Sequence, residues 1–478
     1  MEEIVETGYG VKIEIAEKSL EDELYDKFSG VLFGSAIADA LGWITEFVKS
    51  KSQLKRLIGA EKVTDFATWK KKTGGRFLTY IDVVQPGEYS DDTQLMLCTA
   101  RSLRADGTCD MEHFSKVELP LWLDYARGAG RTITIAAKAI QRKTATWNHN
   151  FFRVKSGGAY LDYRQAGANG AAMRIAPIVL ANNDKSIKAY DEIWKNAIAT
   201  HGHPRAIIGA LLYGKALQLI LYQRLTASRE ILSELHGFVD SLYIPLQEIS
   251  IRHWVETWNH GQHVRFEDCF QQTKNEVANQ LSLLEQTSDL STAEVISQLG
   301  CFNSATRGSG VATALAAILL FLRHGSHYER CTIEAANLIG ADTDTIGLMA
   351  GGLAGAAHGY IGIPERWAIQ LQDFSYFLRV AKALTRIHLG KSEGIELLPD
   401  TSSLPSGVPD IVDQIRSGKI KRGQIVKHSL FGVGWVHEVM AGWAGGRRGA
   451  TMTLAHVMFD MGQSCWFKAY SPKQRKSP

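Results

Sequence analysis

The chain has 478 residues, 45% apolar and 22% charged, with a formal net charge of +3. That balance excludes wholesale disorder, and the length admits one large domain plus a small one. Six scattered cysteines (98, 109, 269, 301, 331 and 465) form no CxxC pair. This argues against a cysteine zinc cluster or a disulfide framework and points to a reducing cytoplasm.

Residues 1–23 are acidic and mixed, without the charged-then-apolar order of a signal peptide, and read as an N-terminal extension. "LYDKFSGVLFGSAIADALGW" then spaces Phe28, Val31, Leu32, Ile37 and Leu41 at helical intervals. Asp39 is isolated among apolar and small residues there, and is expected to be a buried acid satisfied by neighbouring backbone or by an Arg. Glu46 follows the end of the helix and by itself reads as a surface acid.

"PGEYSDDTQLMLCTARSL" (86–103) predicts a second helix, with Ser90 as N-cap and Asp91 and Asp92 at the positive end of its dipole. A capped helix accounts for these residues. Neighbouring helical side chains also diverge by about 100°, so the pair can face two metal ions, or one metal and one water. Both readings stay open at this point.

"AGANGAAMRIAPI" (166–178) places an Asn-Gly turn, Asn169-Gly170, before a helix whose first-turn N–H groups suit a phosphate. Arg174 fits an anion contact or a structural ion pair equally. In "ATHGHPRAIIG" (199–209), His201 and His203 precede a Pro-started helix, and no third soft ligand completes a zinc set.

Further helices are predicted in 206–225, 229–242, 277–286, 311–325 and 345–362. "IRHWVETWNHGQH" (251–263) reads as an accessory amphipathic helix rather than a substrate cap built from its Trp and His residues. "VATALAAILLFL" (311–322) falls short of a membrane span, so no membrane partner is expected. Strand-like alternation is scarce between residues 20 and 400. Glycines inside helices (Gly30, Gly34, Gly209, Gly351, Gly352, Gly355) cost propensity and mark close helix approach or a loop near a site.

"LIGADTDTIGLMAGGLAGAAHGYIGIP" (338–364) alternates Asp342 and Asp344 with Thr343 and Thr345 ahead of an apolar helix. A cap needs one oxygen ligand and four are present. Such hard oxygens suit Mg²⁺ or a similar cation. Paired with "SDDT" far upstream, they indicate a split metal site.

Composition changes near residue 398. Residues 398–415 read as a Pro/Ser/Gly-rich linker and 416–478 as a small β domain, with strand-like runs "QIVKHSL", "GVGWVHEV", "TMTLAHVMFD" and "SCWFKAY". From Arg416 to Pro478 there are eleven Lys/Arg against two acids, a net +9 that leaves −6 for residues 1–415. This asymmetry makes a polyanionic partner for the tail an expectation.

Taken in order, GSAIADALGWITE (34–46), SDDT (90–93), GANGAAMR (167–174), ATHGHP (199–204) and GADTDTIGLMAGGLAGAAHGYIGIP (340–364) resemble the ADP-ribosylglycohydrolase family over about residues 24–390. The resemblance implies an all-α orthogonal helical bundle over 24–397 with a binuclear Mg²⁺ cleft, Mn²⁺ being a possible substitute. It implies Ser90, Asp91 and Asp92 as one ligand group and Asp342, Asp344 and Thr345 as the other. Glu46 would lie near the ribose, with Glu46 or Asp92 as general base. Asn169, Gly170 and His201 would line the ADP-ribose pocket. The implied activity is hydrolysis at ribose C1″, releasing ADP-ribose from a modified protein or nucleic acid. The alternative is a catalytically silent relative that binds ADP-ribose or serves structurally. Ala38 and Ala168 stand where the family pattern has glycine. The tail resembles the SH3/Tudor-like β-barrel at the C-terminus of some helicases, which implies a docking surface for protein or nucleic acid.

Overall fold

The structure is a computed structural model that describes residues 4–6, 12–14, 19–75, 78–156, 158–182, 186–287, 289–392, 397, 407–443 and 451–471. Of the expected linker 398–415, residues 398–406 lie outside them, as does the glycine-rich 444–450, while its end forms a short helix, Ile411–Arg416, with Ile411 and Ile415 buried.

Two antiparallel helices form the central pair. The first, Leu20–Trp43, is capped by Ser19, and Phe28 through Trp43 are all buried. The second is Thr343–His358. Glycines set their separation. A Cβ on Gly34 would lie 2.5 Å from the Gly351 carbonyl oxygen, and one on Gly347 would lie 2.8 Å from that of Ala38. Gly30 meets Gly355 backbone to backbone in the same way. Ala38, where the family pattern has glycine, is accommodated because Gly347 and Gly351 face it. This register brings the C-terminal end of the first helix, with Glu46 just beyond, onto the Asp342–Asp344 start of the second.

Helix Pro204–Leu221 packs on helix Gly310–His324, again through small residues: a Cβ on Gly310 would lie 2.6 Å from the Arg205 carbonyl oxygen. Pro204–Leu221 is long and apolar enough to cross a membrane, yet 83% of it is buried within the molecule, as in a core helix. All six cysteines are unpaired.

The body is mostly helical but not purely so. Beyond the short pair β1 (Ile4–Glu6) and β2 (Lys12–Glu14), it carries the hairpins β3 (Trp69–Gly75) with β4 (Leu78–Val84), and β5 (Arg153–Ser156) with β6 (Ala159–Asp162). These correct the expectation of an all-α body. "WKKKTGG" shows no apolar alternation, so only its pairing with "LTYIDVV" reveals a strand.

The tail forms a four-stranded antiparallel sheet in the order β10-β9-β8-β7, from β7 (Ile425–His428), β8 (Gly432–Trp443), β9 (Thr451–Phe459) and β10 (Ser464–Ser471). No β7–β10 pairing closes it among the described residues. The sheet is fastened to the helical body by buried polar contacts. Arg101, fully buried and paired with Glu118, donates to Gln463 Oε1 at 2.6 Å. Ser464 N–H and hydroxyl donate to Asp373 at 2.8 and 2.6 Å. Trp466 Nε1 donates to Glu88 at 2.6 Å, and Lys468 Nζ to the Ala126 carbonyl. Tyr80 of β4 joins Met452, Leu454 and Trp466 in a small apolar cluster.

Candidate active site

Helix Asp91–Arg101 begins as the sequence predicts. Ser90 is extended and its hydroxyl oxygen accepts the Asp92 N–H at 3.1 Å. A second cap comes from the first helix: Asp39 accepts the Ser90 and Thr93 N–H groups at 3.2 Å each and the Thr93 hydroxyl at 2.5 Å. Asp39 is therefore the internally satisfied acid that was expected. Because Ser90 and Asp39 do the capping, the side chains of Asp91 and Asp92 are left for the cleft. Ser90 serves as that cap and does not border the cavity, though its hydroxyl oxygen keeps a second lone pair.

The helix Thr343–His358 starts differently. Asp342 makes no side-chain cap; its Oδ2 accepts the Asn169 amide at 2.9 Å. Thr343 instead donates to the Gly42 carbonyl at 2.8 Å, locking this helix start to the end of the first helix. Glu46 joins the group there. Its carboxylate oxygen and those of Asp342 and Asp344 lie within 4.8 Å of one another. Glu46 is thus no surface acid: Oε2 is buried and without a partner, as is Asp92 Oδ2.

Glu46, Asp91, Asp92, Asp342 and Asp344 line one cavity of about 200 Å³, together with Thr345, Asn169, Gly170 and His201. A larger cavity, about 360 Å³, lies between helices Ser186–Ile198, Pro204–Leu221 and Ser228–Ser241, but contains no such cluster. Desolvation dominates the electrostatics of the acid cleft. Burial pushes Glu46 up to about 8, opposed by Lys71 and reinforced by Asp342 and Asp91. Burial likewise raises Asp91 to about 7, and burial followed by neighbouring carboxylates holds Asp92 and Asp344 well above the usual range. Five acids in so small a space cannot all ionise without cations. The orphaned oxygens and the all-oxygen donor set fit hard divalent ions.

The Asn-Gly turn opens a 3₁₀ segment, Asn169–Arg174, rather than an α-helix. Arg174 forms no ion pair among the described residues, and its hydrogen bonds go to neutral acceptors. It is fully buried and donates to the Gly170 and Asn196 carbonyls, the Asn196 side chain and Thr200 Oγ1, bracing the turn from behind. His201 touches Thr200 Oγ1 through Nδ1 at 2.7 Å, and its buried Nε2 has no partner. Burial, then Arg174, lowers His201 to about 3, so the imidazole is neutral. His203 caps its helix by accepting the Arg205 N–H at 3.1 Å. Trp254 and Trp258 are buried and donate to Tyr163 Oη and the Gly202 carbonyl, both at 2.8 Å, so helix Ile249–Asn259 braces the His201 segment and lines no part of the cleft.

Two contributors escaped the sequence reading. The loop Arg127–Gly130 wraps Asp91: Gly128 has φ +110°, and a Cβ there would meet Asp91 Oδ1 at 2.8 Å. Arg127 anchors that loop through Asp82, Glu88 and the Val83 carbonyl. Lys71, on β3, exerts the largest favourable charge effect on both Glu46 and Asp91. A Gly-Ala-Gly between arginines was the available signal for the loop; nothing local singles out Lys71 among three consecutive lysines.

The sequence profile described as ADP-ribosylglycohydrolase matches residues 20–393. Among curated proteins, the chain is 29% identical over 302 residues to ADP-ribosylhydrolase ARH3 of Danio rerio, covering 60% of this chain and 74% of that one. It is 26% identical over 352 residues to ADP-ribosyl-[dinitrogen reductase] glycohydrolase of Rhodospirillum rubrum, covering 73% and 91%. It is 24% identical over 374 residues to ADP-ribosylarginine hydrolase Tri1 of Serratia proteamaculans, covering 76% and 80%.

Proposed function

The chain belongs to the ADP-ribosylglycohydrolase family and is a glycohydrolase; from that premise we propose that it is a Mg²⁺-dependent enzyme that hydrolyses the ribose C1″ bond of an ADP-ribosylated target. The observation that carries this reading is the convergence of Glu46, Asp91, Asp92, Asp342 and Asp344 on one cavity, with Glu46 Oε2 and Asp92 Oδ2 buried and unpartnered. A silent binding protein has no use for so costly a cluster, since each unpaired acid opposes folding of the metal-free chain.

Asp91, Asp92, Asp342, Asp344 and Thr345 would hold two Mg²⁺ ions, or Mn²⁺ in their place, with Ser90 fixing the first group as its cap. Bound there, such ions would supply Lewis acidity toward the ribose. Asn169 holds Asp342 in place and presents the turn to the nucleotide. Gly170 keeps room beside His201, where a Cβ would lie 3.1 Å from Cε1. His201 offers a neutral Nε2 to the sugar–phosphate. Breaking the C1″ bond builds positive charge on the ribose, which the surrounding carboxylates favour. Water oxygen joins C1″, one of its protons passes to Glu46 or Asp92, and a proton is returned to the departing target atom. The substrate is an ADP-ribosylated protein, with nucleic acid a second class to test.

The six free cysteines support a cytoplasmic setting. The tail reading as an SH3/Tudor-like module rests on its antiparallel strands. A docking role for nucleic acid or protein rests on the exposed Arg416, Lys419, Lys421 and Arg422. Salt-dependent gel shifts with the whole protein test the nucleic-acid role.

Release of ADP-ribose from serine-linked, arginine-linked and nucleic-acid-linked substrates, with Mg²⁺ or EDTA, tests the main reading. Turnover of one of these that EDTA abolishes supports it; no turnover of any rejects it.

A further inference from the structure

The wall of the acid cleft beside Asp91 is the loop Arg127–Gly130, of which Gly128 and Gly130 border the cavity. Gly128 approaches so closely that a Cβ on it would meet Asp91 Oδ1 at 2.8 Å. Two glycines offer no side chain to fix that approach, so it is set where the loop begins, at Tyr125–Arg127. The start is gripped from two sides. From the helix that carries Asp91, Gln94 Nε2 donates to the Tyr125 carbonyl and Gln94 Oε1 accepts the Arg127 N–H, both at 3.3 Å. From the tail, Lys468 Nζ donates to the carbonyl of Ala126, the residue between them. Trp466 stands two residues earlier on β10, hence on the same face of the strand. It donates Nε1–H to Glu88 Oε1 at 2.6 Å, and Glu88 Oε2 accepts from the Arg127 guanidinium at 2.7 Å. The guanidinium carbon lies 5.5 Å from the Trp466 ring centroid and 5.7 Å from that of Trp43, within cation–π range of both. Ala126 and Glu88 are buried, so an acceptor that loses its donor there is left short rather than rehydrated.

We propose that Trp466 and Lys468 are positioning residues for the cleft: they hold the Arg127–Gly130 loop against Asp91, so the tail sheet completes the site as well as fastening to the body. Both lie beyond residue 393, where the match to the family profile ends. The inference goes beyond the hydrolase reading and rests on its assignment of Asp91 as a cation ligand. Neither residue reaches the cavity; they act through Ala126 and Arg127. With the loop in place, the Asp91 carboxylate is confined between the loop and its own helix start. With the loop slack, a bound cation must order that carboxylate itself, and binds more weakly for doing so.

The test uses the whole protein and the variants Trp466→Phe, Lys468→Met and Gln463→Ala, each checked for folding by circular dichroism. Trp466→Phe keeps a ring and loses the N–H; Lys468→Met keeps the apolar stem and loses the ammonium. Gln463→Ala loosens the same sheet at Arg101 and controls for a mere loss of stability. The readouts are amide hydrogen exchange at residues 126–130 without metal, and Mg²⁺ affinity by calorimetry. Trp466→Phe and Lys468→Met should each speed exchange there and weaken Mg²⁺ binding by about threefold or more, short of the roughly ten- to hundredfold of a direct ligand partner. Gln463→Ala should lower the melting temperature and leave both readouts unchanged. A readout unmoved in either folded tail variant, or moved as far by Gln463→Ala, overturns the proposal; if one tail variant fails to fold, the other decides. If the natural protein binds no Mg²⁺, the cation reading of the cleft fails instead, and exchange at 126–130 decides alone. Faster exchange in the tail variants than in Gln463→Ala then upholds the positioning of the loop, and no difference overturns it.

Discussion

The side-chain amide of Asn169 donates to Asp342 Oδ2 at 2.9 Å, across 173 residues of sequence. The same amide reaches Thr313 Oγ1 at 3.1 Å. The Asn-Gly turn is thus one unit with the acid-bearing helix start: the group expected at the nucleotide also aims a carboxylate. Replacing Asn169 by Ala should weaken divalent-ion affinity about 10–100-fold while the fold persists. The Mg²⁺ concentration giving half-maximal turnover measures this; an unchanged value would separate Asn169 from the cation site.

Stability of the metal-free protein should fall as pH rises. Folded Asp91 and Glu46 sit at about 7 and 8, above their ordinary 3.8 and 4.5. The folded state therefore binds more protons than the unfolded one between those limits. Its advantage is complete below about pH 4 and is lost as pH rises through 7 and 8. Melting in EDTA should drop from pH 5 to pH 8, and Mg²⁺ should restore more at pH 8, by about 2–5 °C. An equal Mg²⁺ effect at both pH values would contradict this.

Gly128→Ala should cripple the site more than the fold. Its φ of +110° disfavours any side chain, and the added Cβ would meet Asp91 Oδ1 at 2.8 Å. We expect a loss of roughly 1–3 kcal/mol in stability and a larger loss of turnover, read by thermal melting beside ADP-ribose release. By contrast, Gly34→Val should prevent folding, because backbone of the paired helix occupies that space.

The tail sheet should prove inseparable from the body. Gln463→Ala removes a partner of the buried Arg101 guanidinium, an expected cost of about 1–3 kcal/mol. Ending the chain at Pro409 would strip Gln463, Ser464 and Trp466 from Arg101, Asp373 and Glu88 at once. That truncated protein should aggregate; a soluble form with unchanged melting would show the sheet to be a mere appendage.

How legible this was in the sequence depends on range. Helix 24–43, the SDDT start and the DTDT start are written in local spacing and local capping chemistry, so they could be read directly. Asp91 and Asp92 looked like caps because Asp39, which relieves them of that task, lies some fifty residues away. Glu46 looked exposed because its burial depends on a helix three hundred residues downstream. Lys71 was hidden because a strand's inward face is defined only by its partner, and Arg101 gave no sign of Gln463, 362 residues on. The positive φ of Gly128 is likewise set by the loop's anchors rather than by its neighbours.

The most direct test of the acid cleft is calorimetric titration of Mg²⁺ into the natural protein and into Asp92→Asn and Asp344→Asn, alongside ADP-ribose release. Saturable binding in the natural protein, lost or weakened at least tenfold in both folded variants together with turnover, is the predicted result. Unaltered Mg²⁺ binding and undiminished turnover in both variants would contradict the assignment of this cleft as the metal-dependent hydrolytic centre.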